Sequence, residues 1–119
     1  MRIFVLALLS SGFVGSALAQ DFVPKEADTV LTPDMIRSDV VGQTHTFFDG
    51  GRSFFSISGT YTYTYPDGGV AYGRYEIPAD EGVVCTYFNH GFSRCDMYVR
   101  NAGRLVLITE DGTRFPVRE

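Results

Sequence analysis

The sequence predicts a mostly β domain, an antiparallel up-and-down meander of about seven strands that is strongly curled or barrel-like and carries one short N-terminal helix. Three observations predict it. Residues 54–65 (FFSISGTYTYTY) alternate between apolar or aromatic side chains and hydroxyls, the period of a half-buried strand. Four short loops further along the chain end in glycine, as hairpin loops do. Cys85 and Cys95 lie symmetrically about one of these loops.

Residues 1–19 have the composition of a secretory signal peptide. Arg2 precedes an apolar run over residues 3–9, and residues 17–19 (ALA) supply a small-residue cleavage site before Gln20. An uncleaved N-terminal anchor is the alternative. Cleavage near Ala19 and Gln20 predicts a periplasmic or secreted protein with no stable membrane insertion afterwards.

The charge of the mature chain argues against binding to nucleic acid. Removing Arg2 leaves nine basic residues against fourteen acidic ones, a net charge near −5. Non-specific binding to nucleic acid needs basic surface that displaces counterions. We therefore expect a partner of another kind.

Residues 20–31 show no useful period and are predicted to be a loose leader before a single β-meander domain at 32–119. Thr32 can cap a helix, Pro33 suits the first helical position and Asp34 an acidic first turn, which together predict a helix over about 33–41. Because so short a helix is marginal alone, we expect it to plug an open side or end of the sheet. Residues 43–48 and 53–65 are predicted to be the first two strands.

The glycine-ending loops predict how neighbouring strands pair. A three-residue loop that ends in a glycine at positive φ fixes the register of its hairpin, because the side-chain period of a strand is two. The loops are 66–68, 89–91, 101–103 and 110–112. The predicted cross-strand pairs are Tyr61 with Gly73, Tyr63 with Ala71, Cys85 with Cys95, Val99 with Leu105, and Leu107 with Phe115.

This register predicts one continuous apolar face across the sheet. Its members are Phe55, Ile57, Tyr61, Tyr63, Tyr75, Ile77, Val83, Cys85, Tyr87, Cys95, Met97, Val99, Leu105, Leu107, Phe115 and Val117. In an exported protein an isolated cysteine pair is typical of a structural disulfide, here Cys85 to Cys95. We expect the disulfide to support a core of modest size.

The sequence predicts no catalytic residues, no metal site and no cofactor. His45 and His90 are far apart and show no metal-binding or general-base spacing. Residues 65–69 (YPDGG) lack the repeated acids and closing glutamate of a calcium loop, so we interpret them as a turn.

The candidate binding residues are expected on the second face of the sheet and at the 89–91 hairpin tip. Aromatic and arginine side chains on a polar surface are typical of a protein-contact patch. The candidates are Phe88, His90, Phe92, Tyr72, Tyr98 and Arg94. Two alternatives stay open: the N-terminal segment covers this face, or the phenylalanine pair only stabilises its hairpin.

The chain resembles small exported β-rich proteins of Gram-negative bacteria. The shared features are residues 42–44 (GQT), 63–68 (YTYPDG), 73–77 (GRYEI), Cys85 and Cys95. The resemblance implies a periplasmic location and no particular activity. In size, export and β-rich architecture the chain is also similar to periplasmic lysozyme inhibitors, but no residue can be assigned to an inhibitor's contact loop.

The predicted function is a non-enzymatic periplasmic module that binds an envelope protein or a small ligand. The alternatives are an inhibitor of a lysozyme-like or other envelope hydrolase, a small enzyme with a site in the concave mouth of the sheet, and a structural envelope component. The sequence makes no prediction of oligomeric state.

Overall fold

The computed structural model describes residues 22–118, so the predicted signal peptide lies outside the described residues. Eight strands follow one another in an antiparallel meander, and a further strand, β1, pairs with β7. The elements are β1 (Asp28–Val30), α1 (Pro33–Asp39), β2 (Thr44–Thr46), β3 (Arg52–Phe55), β4 (Thr60–Thr64), β5 (Val70–Glu76), β6 (Val83–Phe88), β7 (Ser93–Asn101), β8 (Arg104–Ile108) and β9 (Arg114–Pro116).

The meander curls into a half-barrel whose first and last strands touch. Phe47 and Val117 form a single antiparallel bridge, and the Arg118 amide donates to the carbonyl oxygen of Thr46 at 2.7 Å. The prediction of a mostly β, curled meander with one short helix is confirmed. Among residues 22–118 no helix is long and apolar enough to cross a bilayer.

Helix α1 begins at Pro33 as predicted and ends at Asp39, two residues before the predicted end. The Thr32 hydroxyl oxygen accepts a hydrogen bond from the Met35 amide at 3.2 Å, which satisfies one of the free donors of the first turn. Ile36 and Val40 are completely buried in the interior cluster with Phe55 and Tyr98. The helix therefore closes one end of the half-barrel.

Three of the four predicted hairpins have the expected register. Tyr61 lies opposite Gly73, Cys85 opposite Cys95, and Leu107 opposite Phe115. The glycines that end these loops all have positive φ. Cys85 and Cys95 are joined by a disulfide, as predicted.

The long central strand predicted over 53–65 is wrong, because the chain turns between β3 and β4. The Ser56 hydroxyl accepts from the Thr60 amide at 2.9 Å, and the Gly59 amide donates to the Ser56 carbonyl at 3.2 Å. The turn leaves Ile57 87% exposed, so its assignment to the core is also wrong. Alternation alone missed the turn because Phe55 and Tyr61 still face the interior on both sides of it.

The register predicted for the third hairpin is wrong by one residue. Asn101 lies opposite Arg104, so the loop has only two residues, Ala102 at φ 51° and Gly103 at φ 82°. Such a turn with two positive φ values matches the twist of the flanking strands. As a result Leu105 and Leu107 share their face with Tyr98 and not, as predicted, with Val99.

The prediction of one apolar face fails across the connection between β5 and β6. Gly73 lies opposite Phe88, and Glu76 opposite Cys85. Phe88 and Val84 therefore share the inner face with Tyr61. The disulfide, Val83, Tyr87, Met97 and Val99 lie on the outer face. The 77–82 connection is longer than the three-residue loops that end in glycine, so its length and sequence did not predict the register of β6 against β5.

Residues 28–30, which lie within the predicted loose leader, form strand β1 of the sheet. Strand β1 pairs with the end of β7, opposite residues 99–101. Phe22 and Val30 pack on a second cluster formed on the outer face by Val99, Val106 and Ile108. The N-terminal segment thus covers this part of the outer face, which was one of the alternatives left open by the sequence.

One buried ion pair fastens the N-terminal segment to the last strand. The Arg114 guanidinium donates to both carboxylate oxygens of Asp28, at 2.8 and 3.0 Å, and the Asp28 side chain is fully covered. The Asn101 amide and the Lys25 backbone N–H donate to the same carboxylate. Hydrogen bonding from Arg114 holds the pKa of Asp28 well below its usual range.

We expect Asp28→Asn to lower the free energy of unfolding by about 3 kcal/mol at neutral pH, because it leaves Arg114 without its charged partner. The exposed Asp34–Arg37 pair provides the control, since Asp34→Asn should cost less than about 1 kcal/mol. Because the folded-state pKa is lowered, the stabilisation is complete above about pH 4 and is lost at lower pH. Urea unfolding of both variants measures the free energy of unfolding. Equal losses in the two variants would contradict the larger contribution expected of the Asp28–Arg114 pair.

We expect Ala102→Asn to raise the free energy of unfolding by up to about 1 kcal/mol, because asparagine tolerates the positive φ that strains alanine. Ala79→Asn, in the exposed 77–82 connection, is the control and should change little. Thermal unfolding of both variants provides the measurement. A loss of stability on Ala102→Asn would contradict the two-residue turn.

Candidate functional site

The candidate site is a cavity at the end of the half-barrel opposite α1. Successive connections of a meander lie at opposite ends of the sheet, so every second connection lies at the same end. The tips of the β2–β3, β4–β5, β6–β7 and β8–β9 hairpins all lie at this end. The cavity has a volume of about 330 Å³. Its lining residues are Asp49, Tyr63, Tyr65, Phe88, His90, Phe92, Arg94, Leu107, Thr109 and Phe115.

Rings from the 88–92 hairpin form one wall of the cavity. Phe88 packs edge-on against the buried Tyr61 with ring centroids 5.7 Å apart, which fixes its position. His90 stacks on Phe88 at 5.4 Å with the planes 4° apart, and Phe92 lies 6.0 Å from Phe88. The wall thus runs from the core to Phe92, which is 56% exposed.

A second pair of rings faces this wall from the β4–β5 hairpin. Tyr63 and Tyr65 meet edge to face at 4.9 Å. Tyr63 is partly buried, and burial raises the pKa of its hydroxyl, with the nearby Asp49 adding to the effect. Both hydroxyls can donate or accept hydrogen bonds, so the cavity combines apolar ring faces with a few polar groups, which is typical of small-molecule sites.

Arg94 lies in the cavity wall and is held from the interior by Asp96. The Arg94 Nε donates to Asp96 Oδ2 at 3.0 Å, and the two side chains are 32% and 5% exposed. Burial lowers the pKa of Arg94, but the charge and hydrogen bond of Asp96, together with the nearby Tyr61 and Tyr98, keep that pKa above its usual value. Arg94 and Asp96 also line a shallower neighbouring hollow with Glu110 and Asp111.

The polar groups behind Arg94 are buried. Tyr61 and Ser53 share a hydrogen bond of 2.7 Å, whereas Asp96 Oδ1 and the Tyr98 hydroxyl have no partner among residues 22–118. Burial raises the pKa of Asp96 to about 6, against the opposing attraction of Arg94. Asp96 thus titrates well above an ordinary carboxyl group, directly behind the arginine of the cavity.

The structure brings together four of the six binding residues predicted from sequence. Phe88, His90, Phe92 and Arg94 line the cavity. Tyr72 lies opposite Thr62 on the outer face and is 59% exposed, away from the cavity. Tyr98 is completely buried, so its expected place on an exposed face is wrong. The pairing of β6 with β5 turns β6 and β7 over together, and this brings Tyr98 to the interior.

Sequence reasoning missed most of the opposite wall. Tyr63 and Phe115 were assigned to the core, and Asp49, Tyr65 and Thr109 were given no role. A usable signal existed, because in a meander every second hairpin tip lies at the same end. That rule alone would have placed Asp49, Tyr65 and Thr109 near the 88–92 hairpin.

The other titratable residues of the cavity act within their own turns. Asp49 Oδ1 accepts from the Gly51 amide at 2.8 Å, and His90 Nδ1 accepts from the Phe92 amide at 3.4 Å. The buried His45 bonds the Val40 carbonyl at 3.1 Å, far from the cavity. Within the described part of the chain, no three His, Cys, Asp or Glu side chains form a group that could hold a metal ion.

Comparison with known proteins found no match among family models, curated proteins or solved structures.

We expect the stability of the protein to fall as pH rises from about 4 to about 6, through deprotonation of Asp96. The folded state holds this proton more tightly than the unfolded chain, so losing it costs on the order of 3 kcal/mol for a pKa raised from 3.8 to about 6. Asp96→Asn removes this dependence. Urea unfolding at several pH values compares the two proteins, with Asp80→Asn, an exposed loop substitution, as the control. Parallel pH profiles of the wild type and Asp96→Asn would contradict the shift.

Proposed function

We propose that this protein is a non-enzymatic module that binds a small, ring-bearing ligand in the cavity at the open end of the half-barrel. The observation that carries the proposal is the enclosure of one cavity by rings from three different hairpins, Tyr63 and Tyr65, Phe88 and Phe92, and Phe115. Stacked and edge-on contacts with such rings favour flat ligands. Its size lies at the lower end of the range of small-molecule sites.

The exposure of Phe92 supports binding over a purely structural role. Phe88 packs against Tyr61 and serves the core, but Phe92 is 56% exposed beside it. A hairpin does not need a large exposed ring to fold, whereas a ligand that fills the cavity would cover it. Action outside the cytoplasm forms part of the proposal, and the disulfide supports it because such bonds persist in oxidising compartments.

The other two alternatives, an enzyme and an inhibitor, have weaker support. An enzyme would need a nucleophile or acid–base pair within hydrogen-bonding reach. Asp49 and His90 instead hydrogen-bond to their own turns. An inhibitor of an envelope hydrolase remains the second candidate, since Phe92 stands at an exposed hairpin tip; it would need the tip to enter another protein's cleft.

The proposal is tested by titrating the ¹⁵N-labelled mature protein with 2-naphthalenemethanol, a neutral two-ring probe, and following amide shifts by NMR. We expect saturable shifts at residues 63–65 and 88–92. Phe92→Ala should weaken binding about fivefold through the loss of one ring contact. Tyr72→Ala, an equally exposed ring on the outer face, should leave binding unchanged.

Absence of saturable shifts up to about 10 mM, where a ligand bound by about 3 kcal/mol would half-saturate the site, would overturn the proposed function. Equal effects of Phe92→Ala and Tyr72→Ala would place binding elsewhere and would count against the cavity. A pull-down from envelope extract with wild type and the Phe88→Ala/Phe92→Ala double variant addresses the inhibitor alternative. Loss of one hydrolase with the double variant would favour inhibition.

A further inference from the structure

We infer that the ligand of the aromatic cavity carries a carboxylate, which the terminal nitrogens of Arg94 bind while its ring lies among the surrounding aromatic side chains. This inference rests on the proposed function and specifies the chemical class of the ligand. Two of the residues that line the cavity are an acid and an arginine, Asp49, which is exposed, and Arg94 in the wall.

Asp49 has a structural partner, and the terminal nitrogens of Arg94 do not. The exposed Asp49 carboxylate is engaged with the Gly51 amide of its own turn. Arg94 uses Nε for Asp96, and neither of its terminal nitrogens hydrogen-bonds to a residue between 22 and 118. An arginine side chain stays protonated, so the N–H groups on the terminal nitrogens of Arg94 remain positively charged hydrogen-bond donors. They can bind an acceptor that enters the cavity.

Asp96 orients the guanidinium of Arg94 so that its terminal nitrogens can bind such an acceptor. Its Oδ2 atom holds Nε at 3.0 Å, which fixes the plane of the guanidinium and leaves the other edge of the group for a second partner. A carboxylate matches that edge with two parallel hydrogen bonds. Because Arg94 is already ordered and two-thirds covered, a ligand loses little side-chain freedom and little solvation there.

A cationic ligand is the competing inference, since aromatic rings also surround cations. Arg94 lies in the same wall and would repel such a ligand at short range. The unpartnered carboxylate oxygen of Asp96 is buried behind Arg94 and is not among the atoms that line this cavity. The geometry therefore favours an anion.

The test compares three probes that differ only in one group: 2-naphthoate, 2-naphthalenemethanol and 2-naphthylmethylamine. Titrations of the mature protein at pH 7.5 follow amide shifts at residues 88–94. We expect the acid to bind roughly tenfold tighter than the alcohol, as a charge-assisted hydrogen-bonded pair should. The amine should bind more weakly than the alcohol.

Arg94→Gln should abolish the preference for the acid and leave binding of the alcohol unchanged. Arg94→Lys, which keeps the charge without the paired donors, should restore part of the preference. Arg52→Gln removes an exposed arginine from the outer face and serves as the control for net charge. The spectra themselves show whether each variant is folded, and the three-probe comparison in the wild type stands without any variant.

Equal affinity for acid and alcohol, tighter binding of the amine, or a preference for the acid that survives Arg94→Gln would each overturn this inference. Each of these results leaves the proposed function standing, because a ring-bearing probe still binds in the cavity. If none of the three probes binds, the proposed function fails together with the inference.

Discussion

The packing of the interior depends on Gly73, which lies between Tyr61 on one neighbouring strand and Phe88 on the other. A Cβ atom at this position would lie 2.4 Å from the Tyr87 carbonyl oxygen and 2.9 Å from the Phe88 Cα, so only glycine fits. Because Gly73 has no side chain, Tyr61 can reach across it and pack on Phe88 inside the half-barrel. With Phe55 and Tyr98 these rings form the interior, and α1 covers it at one end.

Two short segments decide which residues this interior contains. The 77–82 connection orients β6 and β7 together, so that Phe88 and Tyr98 face inward and Val99 faces outward. The two-residue turn at Ala102 and Gly103 then keeps Leu105 and Leu107 on the inner face. The outward residues then form a second apolar cluster that needs its own cover. Strand β1 supplies that cover, and the Asp28–Arg114 pair fastens it. The protein is thus apolar on both sides of β7 and β8.

The cavity follows from the same topology. Helix α1 covers the interior at one end of the half-barrel. At the other end, aromatic rings on the hairpins line the cavity. Arg94 and Asp96 continue the inner face of β7 toward this opening, where hydrophobic residues give way to a buried ion pair. Placing the Arg94–Asp96 ion pair beside an aromatic cavity lowers the solvation of both charges and so adds little to the free energy of unfolding. The same arrangement suits selective binding.

The sequence by itself determined the local features: the Thr32 cap and the helix after it, the three hairpins whose glycines need positive φ, the Cys85–Cys95 pair, and the ring-rich tip at 88–92 that forms one wall of the candidate site. These depend on residues close in the chain, where backbone sterics restrict the choice. Only the tertiary structure decided which way each strand faces beyond the 77–82 and 102–103 connections, and that Tyr63, Tyr65 and Phe115 join Phe88 and Arg94 around one cavity. The reason is that a shift of one residue reverses a strand's two faces, and strands far apart in the chain meet only when the sheet curls.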